Sequence, residues 1–157
     1  MLMAFQGKAQ QAKFGHINSQ ELLKAMPDLK VADSSLAKYK KELEDTYNML
    51  IAEYQTQLDD YNKNAPTYNP SYKKLKEDGL THLQDQIQQF QQTSQDSFEA
   101  KKQVLYSPIL DKASEAVKAV AKDNGYAYVF DSSAAAILYT WPSDDLMPLV
   151  KTKLNIK

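Results

Sequence analysis

"GYAYVFDSSAAAILYTW", residues 125–141, is the stretch that decides the fold, because it is the one long segment whose apolar residues recur at every second position. Two short apolar runs, YAYVF at 126–130 and AILYT at 136–140, flank the small-residue turn DSSAA at 131–135. This arrangement predicts a β-hairpin near the C-terminal end of the chain. A further short strand is predicted at KFGHIN, residues 13–18, near the other end.

The predicted strands would not make a stable sheet within one chain. A sheet of so few short strands is barely stable by itself and leaves two unpaired edges. The strands are also aromatic, with Tyr126, Tyr128, Phe130 and Tyr139 among their residues. Several copies of the chain can pool their strands into a closed barrel, which removes the edges and buries the rings. The sequence therefore predicts a homo-oligomer.

The middle of the chain is polar and helical in pattern. Of the 157 residues 43% are hydrophobic, only 4 are Gly and 6 are Pro, and the mean hydropathy is −0.59. Such a chain is too polar for one compact globule, and its composition is typical of extended helical hairpins and coiled coils.

Two long helices are predicted, the first from about Asp28 or Lys30 to about Asn62. Its seam residues recur every seven positions: Leu36, Leu43 and Leu50 on one line, and Tyr47, Tyr54 and Tyr61 on the neighbouring line. The second helix has an apolar stripe that is interrupted at Ser94 and Lys101 and otherwise consists of Leu83, Ile87, Phe90, Phe98 and Leu105. The turn-forming residues of NKNAPTYNPS, 62–71, separate them, which predicts an antiparallel helical hairpin.

Shorter helices are predicted on either side of the hairpin. Ser19 is the expected N-cap of a first short helix that Pro27 ends. Ser107 and Pro108 are expected to start a separate Ala-rich helix, which Gly125 closes. Ser143 is the expected N-cap of the last helix, with Asp144 and Asp145 in its first turn.

The first residues, MLMAFQGKAQQA at 1–12, have two interpretations. They resemble the tail of a secretory signal whose basic start is missing, or they form an ordinary disordered N-terminus. Both interpretations stay open on the sequence alone.

Composition argues against catalysis and against nucleic-acid binding. The net charge is −1, all 19 basic residues are Lys, and the chain contains no Cys. Arg, the usual bidentate ligand of phosphate and guanine, is therefore missing, as are thiol nucleophiles and thiolate metal ligands. His16 and His82 are too far apart to suggest a metal pair, and no phosphate-binding loop is present. No catalytic residue, metal or cofactor is predicted.

Tyrosines are the most suggestive side chains for binding, because each offers a broad apolar ring with a polar tip. The candidates in the hairpin are Tyr39, Tyr54, Tyr61, Tyr68 and Tyr72. Heptad spacing allows a simpler interpretation of Tyr47, Tyr54 and Tyr61, in which they only form the seam. Tyr68 and Tyr72, near the turn, are expected to be more exposed.

The order of these segments resembles the Skp (OmpH) family of periplasmic chaperones of Gram-negative bacteria. The resemblance runs from FGHINSQELLKAMPD through the helical hairpin to SPILDKASEAVKAVAKDNGYAYVFD and AILYTWPSDDLMPLVKTKL, and it covers nearly the whole chain. The C-terminal part, in which a helix leads into GYAYVFD, is the most specific.

The resemblance implies an α+β, mainly α, fold in which three copies form a homotrimer. Residues 13–29 and 106–157 would form a shared β-barrel body, and residues 30–105 a coiled-coil tentacle with its tip near 62–71. The body residues implied are Phe14, Ile17, Tyr126, Tyr128, Val129, Phe130, Ile137, Leu138 and Tyr139. The implied function is ATP-independent holding of unfolded outer-membrane β-barrel proteins in the periplasm, in a cavity between the tentacles.

The resemblance brings no lipopolysaccharide or membrane site to this chain. Residues 30–105 contain 10 Lys against 12 Asp and Glu, a net charge of −2, without clustered cations. Client capture is therefore expected to rest on weak apolar and aromatic contacts, which also allow release.

Two other functions compete with the holdase interpretation. A structural coiled-coil adaptor would dock folded partners along its helices. A prefoldin-like cytosolic chaperone also combines strands with helical tentacles, but its chain ends lie at the tentacle tips, whereas the turn-rich segment here lies in mid-chain.

Overall fold

The computed structural model describes residues 12–134 and 137–156. Six main elements follow in chain order: β1 (Lys13–Ile17), α1 (Ser19–Ala25), α2 (Pro27–Asn64), α3 (Pro70–Asp123), β2 (Tyr126–Asp131) and α4 (Met147–Leu154). Short 3-10 turns at Ala65–Thr67 and Pro142–Asp144 precede α3 and α4.

The chain divides into two compact units. The first, here the sheet unit, contains the described residues up to Val31 together with those from Tyr106 onward. The second, the hairpin unit, is Ala32–Leu105.

The sheet is a parallel pair, and the predicted β-hairpin is wrong. β1 pairs with β2, placing Phe14 opposite Tyr128 and His16 opposite Phe130. Residues 137–140, expected in a strand, have no regular structure, and Ala136 lies outside the described residues.

Hydrogen bonds explain why the chain does not fold back along β2. After β2 the amide of Ser132 donates to the carbonyl of Ile17 at 2.9 Å, and the amide of Leu146 donates to the carbonyl of His16 at 2.9 Å. Both bonds tie the chain that follows β2 to β1, so residues 137–140 have no neighbouring strand to pair with.

Core residues of the sheet unit come from every element around the sheet. Leu22, Met26, Leu146 and Val150 are the most deeply buried side chains. The C-terminal part of α3 contributes Ile109, Ala113, Ala116 and Val120, whose spacing of three and four residues places them on one face. Gly125 then adopts a φ of 70°, as expected for a glycine that ends a helix.

The predicted break at Ser107 and Pro108 is wrong, since α3 is a single helix of 54 residues with Pro108 inside it. An interior proline removes one backbone hydrogen bond and costs about 3 kcal/mol. Burial of Ile109 and Ala113 directly after it, in the core of the sheet unit, offsets that cost. Tertiary packing therefore overrides the local helix-starting signal.

Two predicted N-caps are also misplaced. Asn18, not Ser19, caps α1: its side chain accepts from the amide of Glu21 at 3.1 Å and donates to the Glu21 carboxylate. Ser143 lies in the 3-10 turn, and Asp145 instead accepts from the amide of Met147 at the start of α4.

Ser19 is engaged by Asp131, at the end of β2. The Asp131 carboxylate accepts from the Ser19 hydroxyl at 2.6 Å, the Ser19 amide at 3.2 Å and the Ser133 amide at 2.9 Å. These donors, the Ser19 hydroxyl above all, lower the pKa of Asp131 to about 2. One carboxylate thus joins the end of β2 to the start of α1.

We expect Asp131→Ala to destabilise the protein by about 1 kcal/mol, because Ser19 and Ser133 lose their shared hydrogen-bond acceptor. Because the pKa of Asp131 is depressed on folding, its contribution is present above pH 4 and is lost as the pH falls toward 2. Thermal melts from pH 7 to pH 2 measure both effects. Asp59→Ala, on the exposed surface of α2, is the control; equal loss in the two variants would contradict the assignment.

Two glycines should respond oppositely to alanine. A Cβ at Gly15 would overlap the side chain of Leu146 and lie 2.9 Å from the Tyr126 ring, whereas Gly79 in α3 has open space around it. We expect Gly79→Ala to stabilise the protein by about 1 kcal/mol through helix propensity. Gly15→Ala should lower the melting temperature instead, since the buried Leu146 must move. Urea denaturation distinguishes the two, and a neutral Gly15→Ala would refute the close packing.

Candidate functional site

Three aromatic side chains on one face of the sheet form an exposed cluster, here called the aromatic face. The ring centroid of Phe14 lies 5.7 Å from that of Tyr128 and 6.2 Å from that of Phe130, and the latter two are 6.4 Å apart. The rings are nearly parallel, yet Phe14 is 51%, Tyr128 62% and Phe130 49% exposed. The alternation of side chains along each strand puts them on the same face.

Beside the aromatic face runs a second exposed apolar segment, residues 137–141. Leu138 is 96%, Tyr139 73% and Trp141 65% exposed. The His16 ring holds this segment in place, because its Nε2 lies 3.1 Å from the carbonyl oxygen of Trp141. Together with Phe14 and Phe130, this segment borders a cleft of about 190 Å³.

The remaining body residues predicted from the sequence lie elsewhere in the sheet unit. Ile17 is buried in the core of its own chain. Tyr126 packs under the Lys13 ammonium, 3.9 Å from its ring centroid. Val129 lies with Leu22 and Leu110 along a separate apolar groove of about 330 Å³. The structure therefore brings Phe14, Tyr128 and Phe130 together with the cleft residues Ile137 and Tyr139, and sets Ile17, Tyr126 and Val129 apart from them.

In the hairpin unit the tyrosines of α2 form hydrogen bonds across the seam to α3. Tyr47 accepts from Gln91, Tyr54 accepts from Gln84, and Tyr61 donates to Glu77. Each step of seven residues along α2 is matched by a step of seven back along α3, as antiparallel packing requires. Tyr39 continues this tyrosine ladder by sharing a 3.0 Å hydrogen bond with Ser97.

The sequence allowed a seam position for Tyr47, Tyr54 and Tyr61, but it did not predict their hydrogen bonds to α3. Its signal for those bonds was the set of tyrosines at heptad spacing opposite a Gln-rich helix. The ladder includes three of the predicted client-binding residues. The hydroxyls of Tyr39, Tyr54 and Tyr61 are engaged within the seam, while their rings are half-buried. The bond to Glu77 raises the pKa of the Tyr61 hydroxyl.

Tyr68 and Tyr72 belong to an aromatic cluster at the turn between α2 and α3. Their ring centroids are 4.8 Å apart, edge to face, and Tyr61 lies 6.5 Å from Tyr68. Tyr72 is exposed and Tyr68 is half-buried, with desolvation raising the pKa of its hydroxyl. An Asp60–Lys76 ion pair of 3.0 Å joins the two helices here, and it lowers the pKa of Asp60. The turn is thus closed by one aromatic cluster and one ion pair.

At the interrupted part of the α3 stripe, the seam leaves a cleft of about 240 Å³. Ser94 occupies the apolar stripe position here and is too small to fill the space between Leu43 of α2 and Phe98 of α3. Lys40, Glu44 and Gln95 complete its lining.

Within 12–134 and 137–156, no group of three or more His, Cys, Asp or Glu side chains is arranged to hold a metal ion. Among the helices that the structure describes, none is both long and apolar enough to cross a membrane.

The fold and its surfaces define a mainly helical α+β protein that pairs a small parallel sheet, bearing an exposed aromatic face, with an antiparallel helical hairpin. The sequence model of the family described as "Outer membrane protein (OmpH-like)" matches residues 13–154. The chain therefore belongs to the OmpH-like family, and its resemblance to Skp (OmpH) proteins is confirmed.

A solved structure supports the fold. It is that of a Caulobacter crescentus protein described as an OmpH-like outer membrane chaperone, with a TM-score of 0.80 and 14% sequence identity. The match covers 98% of this chain and 89% of the other. A search of curated proteins finds no match. The α+β, mainly α, fold class is thus confirmed.

A double-mutant cycle tests the tyrosine ladder. We expect Tyr54→Phe and Gln84→Ala each to destabilise the protein by up to about 1 kcal/mol, because each removes one side of a partly exposed hydrogen bond. Their effects should be coupled by about 0.5 kcal/mol in urea denaturation. Tyr54→Phe with Gln88→Ala, on an exposed position of α3, is the control and should be additive. Additivity in both pairs would show that the bond contributes nothing.

Proposed function

We propose that the chain is one subunit of a homotrimeric, ATP-independent holdase in the periplasm. It keeps unfolded outer-membrane β-barrel proteins soluble, between the helical hairpins of three copies, until they are inserted. Membership of the OmpH-like family and the likeness to a protein described as an outer membrane chaperone support the chaperone role.

The exposed aromatic face is the observation that carries the proposed assembly. Phe14, Tyr128 and Phe130 stack on one another at the surface of a sheet in which, among the described residues, the outer edge of β2 has no partner strand. The outer edge of β1 is bridged at one point, between His16 and Asp145. Contiguous apolar patches of this kind on a soluble protein mark interaction sites. Three sheets that share their aromatic faces bury the rings, and the exposed segment 137–141 of each copy can then pair with the free edge of a neighbour's β2.

Cargo binding is assigned to the hairpin unit. Its exposed apolar side chains are separated by polar residues: Met49, Tyr72, Leu75 and Val104. Isolated contacts of this kind each contribute little, and many of them acting together hold an unfolded chain without trapping it. No nucleotide is required for release, because each contact breaks readily.

Light scattering tests assembly and function together. We expect a mass of about 53 kDa, three times the 17.8 kDa subunit, that rises by one client mass when a urea-unfolded outer-membrane β-barrel protein is diluted into the buffer. A trimer that leaves the client to precipitate would refute the holdase and favour an adaptor for folded partners. A monomer would refute the shared body.

A charged residue in the aromatic face tests whether this face is the interface between subunits. Phe130→Glu places a carboxylate where rings must pack, so we expect a soluble monomer with unchanged helical circular dichroism, since Phe130 is exposed in the single chain. Tyr72→Glu, which changes a similarly exposed aromatic residue at the hairpin turn, is the control and should stay trimeric. A trimeric Phe130→Glu variant would place the interface elsewhere.

A further inference from the structure

The interruption of the α3 stripe creates a cleft that the protein's own side chains do not fill. Ser94 and Lys101 interrupt the apolar stripe on either side of Phe98, and Ser97 precedes Phe98. Ser97 is bonded to Tyr39, and the Lys101 ammonium lies 5.8 Å from the centre of the same ring. Ser94 bonds only to its own helix, through the carbonyl of Gln91 at 3.0 Å. Nothing in the ladder closes the space over Ser94.

The size of the cleft restricts its occupant. At about 240 Å³ it is smaller than the pockets of roughly 300–1,000 Å³ that hold cofactors and small-molecule ligands. It has room for one large side chain. Leu43 and Phe98 on either side supply carbon surface, so an apolar side chain gains most by entering.

The charges at the rim favour an uncharged occupant. Lys40 and Glu44, 3.6 Å apart, carry opposite charges, so this pair gives the rim no net charge that would attract a charged ligand. The Gln95 side chain is exposed and has no hydrogen-bond partner in the part of the chain that the structure describes. Its amide can both donate and accept, as the backbone of an extended peptide requires.

We propose that this cleft is a side-chain socket for cargo: it takes one aromatic or branched aliphatic side chain from an extended, uncharged segment of an unfolded polypeptide, while Gln95 bonds the segment's backbone. This proposal rests on the proposed holdase function and adds to it one defined contact between the protein and its cargo. The serine at position 94 then has a role, because a larger seam residue would fill the site.

Filling the cleft is the first test. Ser94→Leu puts an apolar side chain and a better helix former into the seam, so the variant should fold and melt no lower than the wild type. We expect its affinity for a urea-unfolded outer-membrane β-barrel protein, measured by fluorescence titration, to fall by about fivefold to tenfold. Ser34→Leu makes the same change on an exposed position of α2 and should bind like the wild type.

Cysteine protection is the second test and leaves the cleft open. Because the chain contains no Cys, Ser94→Cys gives a single thiol whose reaction with Ellman's reagent reports access to the socket. We expect saturating cargo to slow that reaction at position 94 and to leave Ser34→Cys unaffected.

The outcomes separate the two proposals. If the wild type forms no saturable complex with the unfolded protein, the holdase function fails and the socket with it. If the wild type binds but Ser94→Leu binds equally well, or cargo slows both cysteines alike, the holdase stands and the socket is refuted.

Discussion

The structure of the sheet unit depends on one interaction, the parallel pairing of β1 with β2. It joins Lys13–Ile17 to Tyr126–Asp131, segments separated by both long helices. Closing so long a loop costs entropy that grows only with the logarithm of loop length. The pairing is supported by burial of Ile17, Leu22, Leu146 and Val150 around the sheet. The ends of the same strands also fix the start of α1 through Asp131 and the approach to α4 through the His16 carbonyl.

A consequence of this pairing is that the two units present apolar surface in different ways. In the sheet unit the register sets Phe14, Tyr128 and Phe130 side by side, so the exposed rings form one patch. In the hairpin unit the exposed apolar residues are scattered among polar ones. Concentrated apolar area suits permanent association between copies, whereas scattered area suits weak and reversible contact. In the proposed holdase, the sheet unit therefore serves for assembly and the hairpin unit for cargo binding.

Polar groups as well as apolar ones hold the seam of the hairpin unit together. Tyr47, Tyr54 and Tyr61 each pair with a defined residue of α3, so sliding one helix along the other would break every bond at once. Polar pairs in a coiled coil fix register at some expense of stability. The Asp60–Lys76 ion pair adds a further constraint at the turn, where the chain reverses.

Local patterns by themselves determined the helical part of this protein. Heptad spacing predicted two long helices with Leu36 and Leu83 in the buried seam, the turn-forming residues at 62–71 marked the reversal, and Gly125 marked the end of α3. These predictions succeed because the helix period, the turn chemistry and the left-handed conformation of a glycine each depend on only a few neighbouring residues. Alternation, also a local signal, predicts a strand at 126–130, and the observed strand extends one residue further, to Asp131.

The tertiary structure alone decided those features that depend on contacts between residues far apart in the chain. The small-residue turn at 131–135 was compatible with a hairpin, but Ser132 and Leu146 bond to β1, and residues 137–140 are left without a strand to pair with. Pro108 signalled a helix start, yet core packing of Ile109 and Ala113 carried α3 through it. The aromatic face, the tyrosine partners and the cleft over Ser94 likewise need the register between segments. That register is set by contacts between residues far apart in the chain, which no local pattern encodes.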